Sequence, residues 1–514
     1  MRNTSLKNIA KILLTVVILL LFTKVDYRLN EIAPGSIQDD SVYYYHTQTI
    51  AIDFDFDYTN QLDGNLKDSY IRDDGLPVPR QSVGTGFIAS PILFVTNIIS
   101  KYLNTENSLN YFIYSLIPIV FLLLSVSIIQ IMIKSNIRNR LLISLILLGS
   151  GISYFGFERF SMSTVYEFFI FLIVIYLTHK YLDSQYTYLL ILIPLFQFLG
   201  LTVRWNNYHI FLLPIIYLLL NNKNISSLIK NKVFILGNLF GVILFLIHTK
   251  LIYGIYTFSQ TDIYPNEGWV VYERLEVYSD INLLGENLLT IFNHLFTILF
   301  SQEFGVFFFC PIVFISIYYV FFYALNKKYY IALSLFLFYS ISILPVILFE
   351  SHGGSYGFRY LYTLIPLNIY IFFKDHFHNK FLIKYLIIFS IFGSLSQLFF
   401  ESTQASSLSE DKIINSFDNL VPYANPEYLK GMLSSVLTLQ AYQKIIFTSF
   451  VGLISIKLLS LVQDPLVLIS NYVNLDEKST EYIDLYLSFD WMFIFIIFLM
   501  YLFFALFLFD KNKL

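Results

Sequence analysis

Two adjacent carboxylates, Asp39 and Asp40, follow the turn Pro34-Gly35 and precede the aromatic run Tyr43-Tyr44-Tyr45-His46. A carboxylate so placed can accept a proton from a hydroxyl, as general-base chemistry requires, or hold a divalent cation. The same pair also suits a helix N-terminus, where Asp caps the first turn and meets the positive end of the dipole. Downstream, Asp53, Asp55 and Asp57 alternate with Phe54 and Phe56, so an extended chain would set the acids on one side. The ladder resembles the start of a calcium loop. Tyr58 and Gly64 stand where such a loop needs Gly and Glu, so a solvated acidic edge is expected.

Glu158 and Arg159 open the short segment Phe160-Ser161-Met162-Ser163 and read either as an ion pair or as a second acid beside the first two. Arg204 is followed by Trp205, Asn206 and Asn207, which makes a polar pocket or a snorkelling cation. In Glu350-Ser351-His352-Gly353-Gly354-Ser355-Tyr356-Gly357-Phe358-Arg359, a glycine-rich backbone leads into an apolar run with an arginine at its start. That arrangement, with a His beside it, suits a phosphate group held by the backbone and Arg359, or else a tight turn with Arg359 contacting headgroups. His179, His209, His248, His376 and His378 are scattered without metal-ligand spacing and read as structural or solvated. Cys310 is the one cysteine, so no disulfide forms within the chain.

The elements that must position these groups are membrane helices. Of 514 residues, 56% are hydrophobic and 13% charged, too little charge to cover a soluble surface. Apolar runs centre near residues 16, 121, 148, 172, 194, 213, 241, 315, 338, 367, 390 and 499. Several reach the length of about 18 residues needed to cross roughly 30 Å of hydrocarbon. The connecting loops alternate. Short basic loops carry Arg138 and Arg140, His179 and Lys180, Lys223 to Lys232, Lys327 and Lys328, Lys374 to Lys384, and Lys511 with Lys513. The other loops are longer and mostly acidic; residues 24–85 hold eleven Asp or Glu against five Lys or Arg. This asymmetry predicts about twelve spans in the cytoplasmic membrane, with both termini in the cytoplasm and no soluble catalytic domain. The first run, after Lys7 and Lys11, lacks a small-residue cleavage site and reads as an uncleaved anchor. Residues 83–100, broken by Gly84, Gly86 and Pro91, and residues 445–470, with Lys457, Asp464 and Pro465, are expected to lie in the outer interface. The expected architecture is therefore an all-α polytopic protein. Its transmembrane region is residues 1–400, followed by an outside segment at 401–488 and a final span with tail at 489–514.

In order along the chain, these pieces resemble the GT-C class of polytopic glycosyltransferases, which includes protein O-mannosyltransferases and lipid A aminoarabinose transferases. The resemblance rests on Asp39-Asp40-Ser41-Val42-Tyr43-Tyr44, Gly84-Thr85-Gly86-Phe87 and Glu158-Arg159-Phe160-Ser161. Gly200-Leu201-Thr202-Val203-Arg204-Trp205-Asn206-Asn207, Ser301-Gln302-Glu303-Phe304-Gly305 and Gly353-Gly354-Ser355-Tyr356-Gly357-Phe358-Arg359 complete it. It implies an inverting transferase that moves a sugar from a polyprenyl-phosphate donor to a glycan, lipid or protein acceptor on the extracytoplasmic side. On that resemblance Asp39 or Asp40 is the base or a metal ligand, Glu158 a second acid, and Arg204, His352 and Arg359 hold the donor phosphate. A divalent metal, Mg or Mn, would sit on Asp39 and Asp40. The partners would be the bilayer and the lipid-linked sugar, with no nucleic acid. Unlike the best-characterised members, the chain has no large soluble C-terminal domain, which leaves the acceptor open.

A transporter or flippase of a lipid-linked saccharide is the main rival, opposed by the lack of an inverted repeat and of a charge midway along a span pair. A surface-polysaccharide polymerase or ligase is another, opposed by the net acidic first loop. The acid pair and the Arg359 loop oppose a catalytically dead scaffold.

Overall fold

In the computed structural model the protein is described over residues 2–25, 28, 36, 39–66, 69–103, 108–133, 136–259, 262–263, 284–300, 305–349, 359–399, 448–462, 464–466, 483–484 and 486–509. It is a bundle of apolar helices. Six are long and apolar enough to cross a membrane: Gly84–Leu103, Ser108–Ile133, Thr164–Ser184, Lys232–Tyr253, Lys380–Leu398 and Trp491–Phe509. Shorter apolar helices, among them Asn8–Phe22, Leu189–Val203, Asn207–Leu220, Pro311–Leu325 and Tyr329–Leu344, run beside them. Large apolar side chains point outward from many of these helices: Phe321 is 63% exposed, Phe495 61% and Phe503 71%. A water-facing helix would carry charge there, so the outer surface is built for lipid and the protein is membrane-embedded.

Within the bundle, helices approach until their backbones touch. A Cβ added at Gly149 would lie 2.2 Å from the Ser390 carbonyl oxygen, and one at Gly393 would lie 2.1 Å from the Gly149 oxygen. Small residues let helices meet this closely where lipid provides no hydrophobic drive for association. At the same crossing the chain breaks between the helices Ile137–Leu148 and Ile152–Phe157, which frees backbone carbonyls. Gln397 answers them: its amide donates to the carbonyls of Leu148 at 3.0 Å and Ser150 at 3.1 Å. A polar side chain is tolerated at this depth because it satisfies backbone that lipid cannot.

The polar groups sort to the two ends of the bundle. At one end, Arg140 donates to the Phe507 carbonyl at 3.0 Å, and Lys374 to the Leu220 carbonyl at 2.5 Å and the Asn221 amide oxygen at 2.7 Å. The acid pair and Arg204 lie at the other end, joined by Arg359.

The Gly84–Leu103 segment differs from expectation in one respect. It is a continuous 20-residue helix with Pro91 inside it, not a broken stretch. Pro91 removes one backbone donor and leaves the neighbouring turns helical. Gly84 lies against the Thr202–Val203 backbone, and Asn97 accepts a hydrogen bond from Asn110 at 3.2 Å, at the start of the next helix. Of residues 445–470, the described part is a short helix, Phe450–Leu459, tied by the Phe450 amide to the Thr23 carbonyl at 3.0 Å. Among the described residues the strands are a two-stranded antiparallel hairpin in the acidic loop, Ser69–Ile71 against Pro77–Pro79, and an isolated antiparallel bridge joins Lys24 and Ser449. Arg72 ties this hairpin to the bundle by donating to the Leu251 carbonyl at 3.1 Å.

Candidate functional site

Asp39 and Asp40 form the first turn of the helix Asp39–Gln48. Successive residues on a helix point about 100° apart, so the two carboxylates take different partners. Asp39 forms an ion pair with Arg359 at 3.3 Å and accepts a hydrogen bond from the Gln81 amide at 3.2 Å. Asp40 is gripped by Arg159, whose Nε donates at 3.0 Å and whose Nη2 also reaches the same oxygen. Ser161 donates to the Asp40 backbone carbonyl. The Asp39 side chain is 35% exposed and that of Asp40 11%, so the second is the better shielded.

Their electrostatics differ accordingly. Burial pushes the Asp39 carboxyl up, but the Arg359 guanidinium and the Gln81 amide pull harder, and it settles below the usual carboxylate range. For Asp40 burial wins over Arg159, helped by the negative charge of Asp39, and its carboxyl lies above that range. One carboxylate is a fixed anion and its neighbour is a stronger base. Environments that push adjacent acids apart in this way separate their chemical roles. The Asp40 Oδ1 atom is buried without a hydrogen-bond partner among the described residues.

Arg204 and Arg359 converge on Tyr360, their guanidinium carbons 4.5 Å and 5.4 Å from the centre of its ring. Both are buried, at 9% and 8% exposure. Arg204 is held by Glu167 at 3.0 Å and donates to the Ser163 hydroxyl at 2.8 Å. Ser163 in turn donates to Glu167 at 2.7 Å. These contacts use Nη2 and leave Arg204 Nη1 without a partner, as Arg359 Nε is also left, among the described residues. A buried donor without an acceptor costs about 1–3 kcal/mol, more for a charged group, unless a ligand or water supplies one. Two such donors on guanidiniums that share the Tyr360 ring are available to an anion.

The structure brings Asp39 to Arg359, and Arg359 and Arg204 to the same Tyr360 ring. Glu158 does not turn toward them. It lines a small cavity with Lys24, Tyr154 and Gln397, while its neighbour Arg159 is the residue that reaches Asp40. Arg28 fixes this local backbone by donating to the carbonyls of Phe157 at 2.6 Å and Gly156 at 3.1 Å. His352 lies outside the described residues. The Asp53–Asp57 ladder stays at the surface: Asp53 accepts from Gln61 at 2.5 Å and Asp57 from the Thr59 amide at 3.0 Å.

Two residues of the site escape the motif reading. Glu167 is one, although an acid inside the apolar run Thr164–Ser184 is a signal that something pairs with it. Gln81 is the other, and a glutamine in a loop carries no such signal. Removing Glu167 leaves Arg204 buried and unpaired, so Glu167→Ala is expected to cost about 3–5 kcal/mol of stability. Thermal unfolding in detergent checks this, and Glu167→Gln, which keeps an acceptor for Arg204, is expected to lose less.

Asp39 and Asp40 are the residues that would hold the expected divalent ion. Both carboxylates are engaged by arginines, and among the described residues no group of three His, Cys, Asp or Glu side chains comes together to hold a metal. A dication on Asp39 and Asp40 would have to displace two guanidiniums and draw its remaining ligands from elsewhere. The chain matches no family model, no curated protein and no solved structure.

Proposed function

We propose that the protein is a membrane-embedded glycosyltransferase that moves a sugar from a polyprenyl-phosphate donor to a hydroxyl acceptor at the outer face of the cytoplasmic membrane. In this reading about twelve segments cross the bilayer and both termini are cytoplasmic. The observation that carries it is the presence of a buried, base-like Asp40 beside the Asp39–Arg359 pair, with one nitrogen of each of two buried guanidiniums, Arg204 Nη1 and Arg359 Nε, left without an acceptor among the described residues. Asp40 Oδ1 takes the proton of the acceptor hydroxyl as that oxygen bonds to the anomeric carbon. The bond from the anomeric carbon to the phosphate oxygen breaks, and its electron pair leaves on the polyprenyl phosphate. Arg204 Nη1 and Arg359 Nε receive the charge that develops there, in a site where little water competes. Asp39 stays ionised and holds Arg359 in place. No step passes through a metal.

A cavity of about 610 Å³ supports the lipid half of this reading. Phe296, Leu299, Val313, Phe336, Leu361 and Leu364 are among its lining residues. Leu361 and Leu364 belong to the same 3-10 segment that begins with Arg359, which sets the cavity close to that arginine along the chain.

The direct test is to incubate purified protein with polyprenyl-phosphate sugars and isolated envelope as acceptor, following release of polyprenyl phosphate. Protein-dependent release supports transfer. Movement of intact lipid-linked sugar across vesicles, without release, favours the flippase instead. The pH dependence has a defined sign. A general base works only when ionised, so kcat/KM falls as pH drops through the raised pKa of Asp40. Arg159 lowers that pKa, so Arg159→Ala is expected to move the acid limb of the kcat/KM profile to higher pH.

A further inference from the structure

Gln81 is held more rigidly than its place in a loop suggests. Its backbone carbonyl accepts from His46 Nε2 at 3.0 Å and from the Tyr253 hydroxyl at 3.2 Å. Burial lowers the His46 imidazole to about 4, so the ring is neutral at pH 7. A carbonyl only accepts, so Nε2 carries the proton and Nδ1 accepts from the Tyr58 hydroxyl at 2.8 Å. Three residues on, Gly84 is wedged against the backbone of Thr202 and Val203, directly before Arg204; a Cβ there would lie 2.3 Å from the Val203 nitrogen. The backbone around Gln81 is therefore clamped from both sides.

Its side chain is only half used. Nε2 donates to Asp39, while Oε1 is buried without a hydrogen-bond partner among the described residues. The unpaired atoms of the site thus divide by kind. Arg204 Nη1 and Arg359 Nε are donors and suit phosphate, whereas Asp40 Oδ1 and Gln81 Oε1 are acceptors. Asp40 Oδ1 takes the reacting hydroxyl in the proposed reaction. A neutral acceptor on the Asp39 side of the pair has no use for an anion and suits an O–H group.

We propose that Gln81 is a specificity-determining residue whose Oε1 accepts a hydrogen bond from a hydroxyl of the donor sugar. The inference rests on the transferase reading and adds to it a side chain that distinguishes one sugar from another. It also gives the clamp formed by His46, Tyr58 and Tyr253 a task, which is to fix the amide while the sugar binds.

The test is equilibrium binding to the full-length protein in detergent, which needs no acceptor. The probes are sugar-free polyprenyl phosphate, the same lipid carrying glucose, mannose or arabinose, and the monodeoxy forms of whichever sugar binds most tightly. The expected result is that one monodeoxy donor binds about three- to tenfold more weakly than its parent, the worth of one hydrogen bond. In Gln81→Met that difference disappears while the other monodeoxy penalties remain. In Gln81→Lys, which still donates to Asp39 but cannot accept, it also disappears. If Gln81 only positions Asp39, Gln81→Met weakens every sugar donor equally, Gln81→Lys restores binding, and the proposal is overturned. It is equally overturned if no sugar adds affinity to the bare lipid phosphate. Failure of the wild type to bind polyprenyl phosphate at all would instead sink the transferase reading.

Discussion

Asp40→Asn is expected to lower kcat about 10²–10⁴-fold, the usual contribution of a positioned general base. The substitution keeps the shape of the side chain and an oxygen that can accept from Arg159, so the ion pair is replaced by a hydrogen bond and the fold is little disturbed. What it removes is the ability of Oδ1 to take a proton. Asp39→Asn makes the comparison informative. Asp39 is tied to Arg359 and held below the usual carboxylate range, which makes it a poor base. Its loss is expected to act mainly by loosening Arg359, and so to raise the KM for donor more than it lowers kcat. Steady-state transfer rates at saturating and limiting donor separate the two variants. Equal losses in kcat for both would remove the division of labour between the adjacent acids.

The second large effect belongs to Arg359. Arg359→Ala removes a buried cation from the point where the leaving phosphate gains charge, and is expected to cost about 10²–10³ in kcat, as for a lost oxyanion donor. It also leaves Asp39 without its partner, so part of the loss is indirect. The double variant Asp39→Asn with Arg359→Ala separates these contributions, because it removes the stranded carboxylate along with the guanidinium. Arg359→Lys keeps the charge but loses the fork and the planar face against Tyr360, and is expected to recover only part of the rate. Measuring kcat for the three variants at matched protein levels checks the set. A fully active Arg359→Ala would move the phosphate elsewhere.

Much of this arrangement is legible in the amino-acid order. The acid pair after Pro34-Gly35, the Arg204 stretch and the Arg359 stretch stand out because a membrane chain carries few ionisable groups, and each needs a partner. The basic loops are legible for the same reason. What the order does not show is which carboxylate faces which cation. Glu158 and Arg159 are neighbours, yet the backbone held by Arg28 turns Arg159 to Asp40 and leaves Glu158 beside the small cavity with Lys24. Glu167 stands out as an acid inside an apolar run, but its partner Arg204 comes from a distant part of the chain. Gln81 belongs to the site only because the chain from the hairpin passes under Tyr253 and His46, a contact made across 172 residues in one case and 35 in the other. The Gly84–Leu103 helix shows a different limit. Its glycines and proline suggest a break, but Gly84 is spent on close approach to Val203, and Pro91 is absorbed within the helix.

The most direct measurement is the structure of the protein with polyprenyl phosphate bound in lipid nanodiscs. A phosphate whose oxygens lie within hydrogen-bond distance of Arg204 Nη1 and Arg359 Nε, with the prenyl chain running past Leu361 and Leu364, is the predicted result. A phosphate bound at the basic end near Lys374 and Arg140, with both of those guanidinium nitrogens still unpaired, would contradict it.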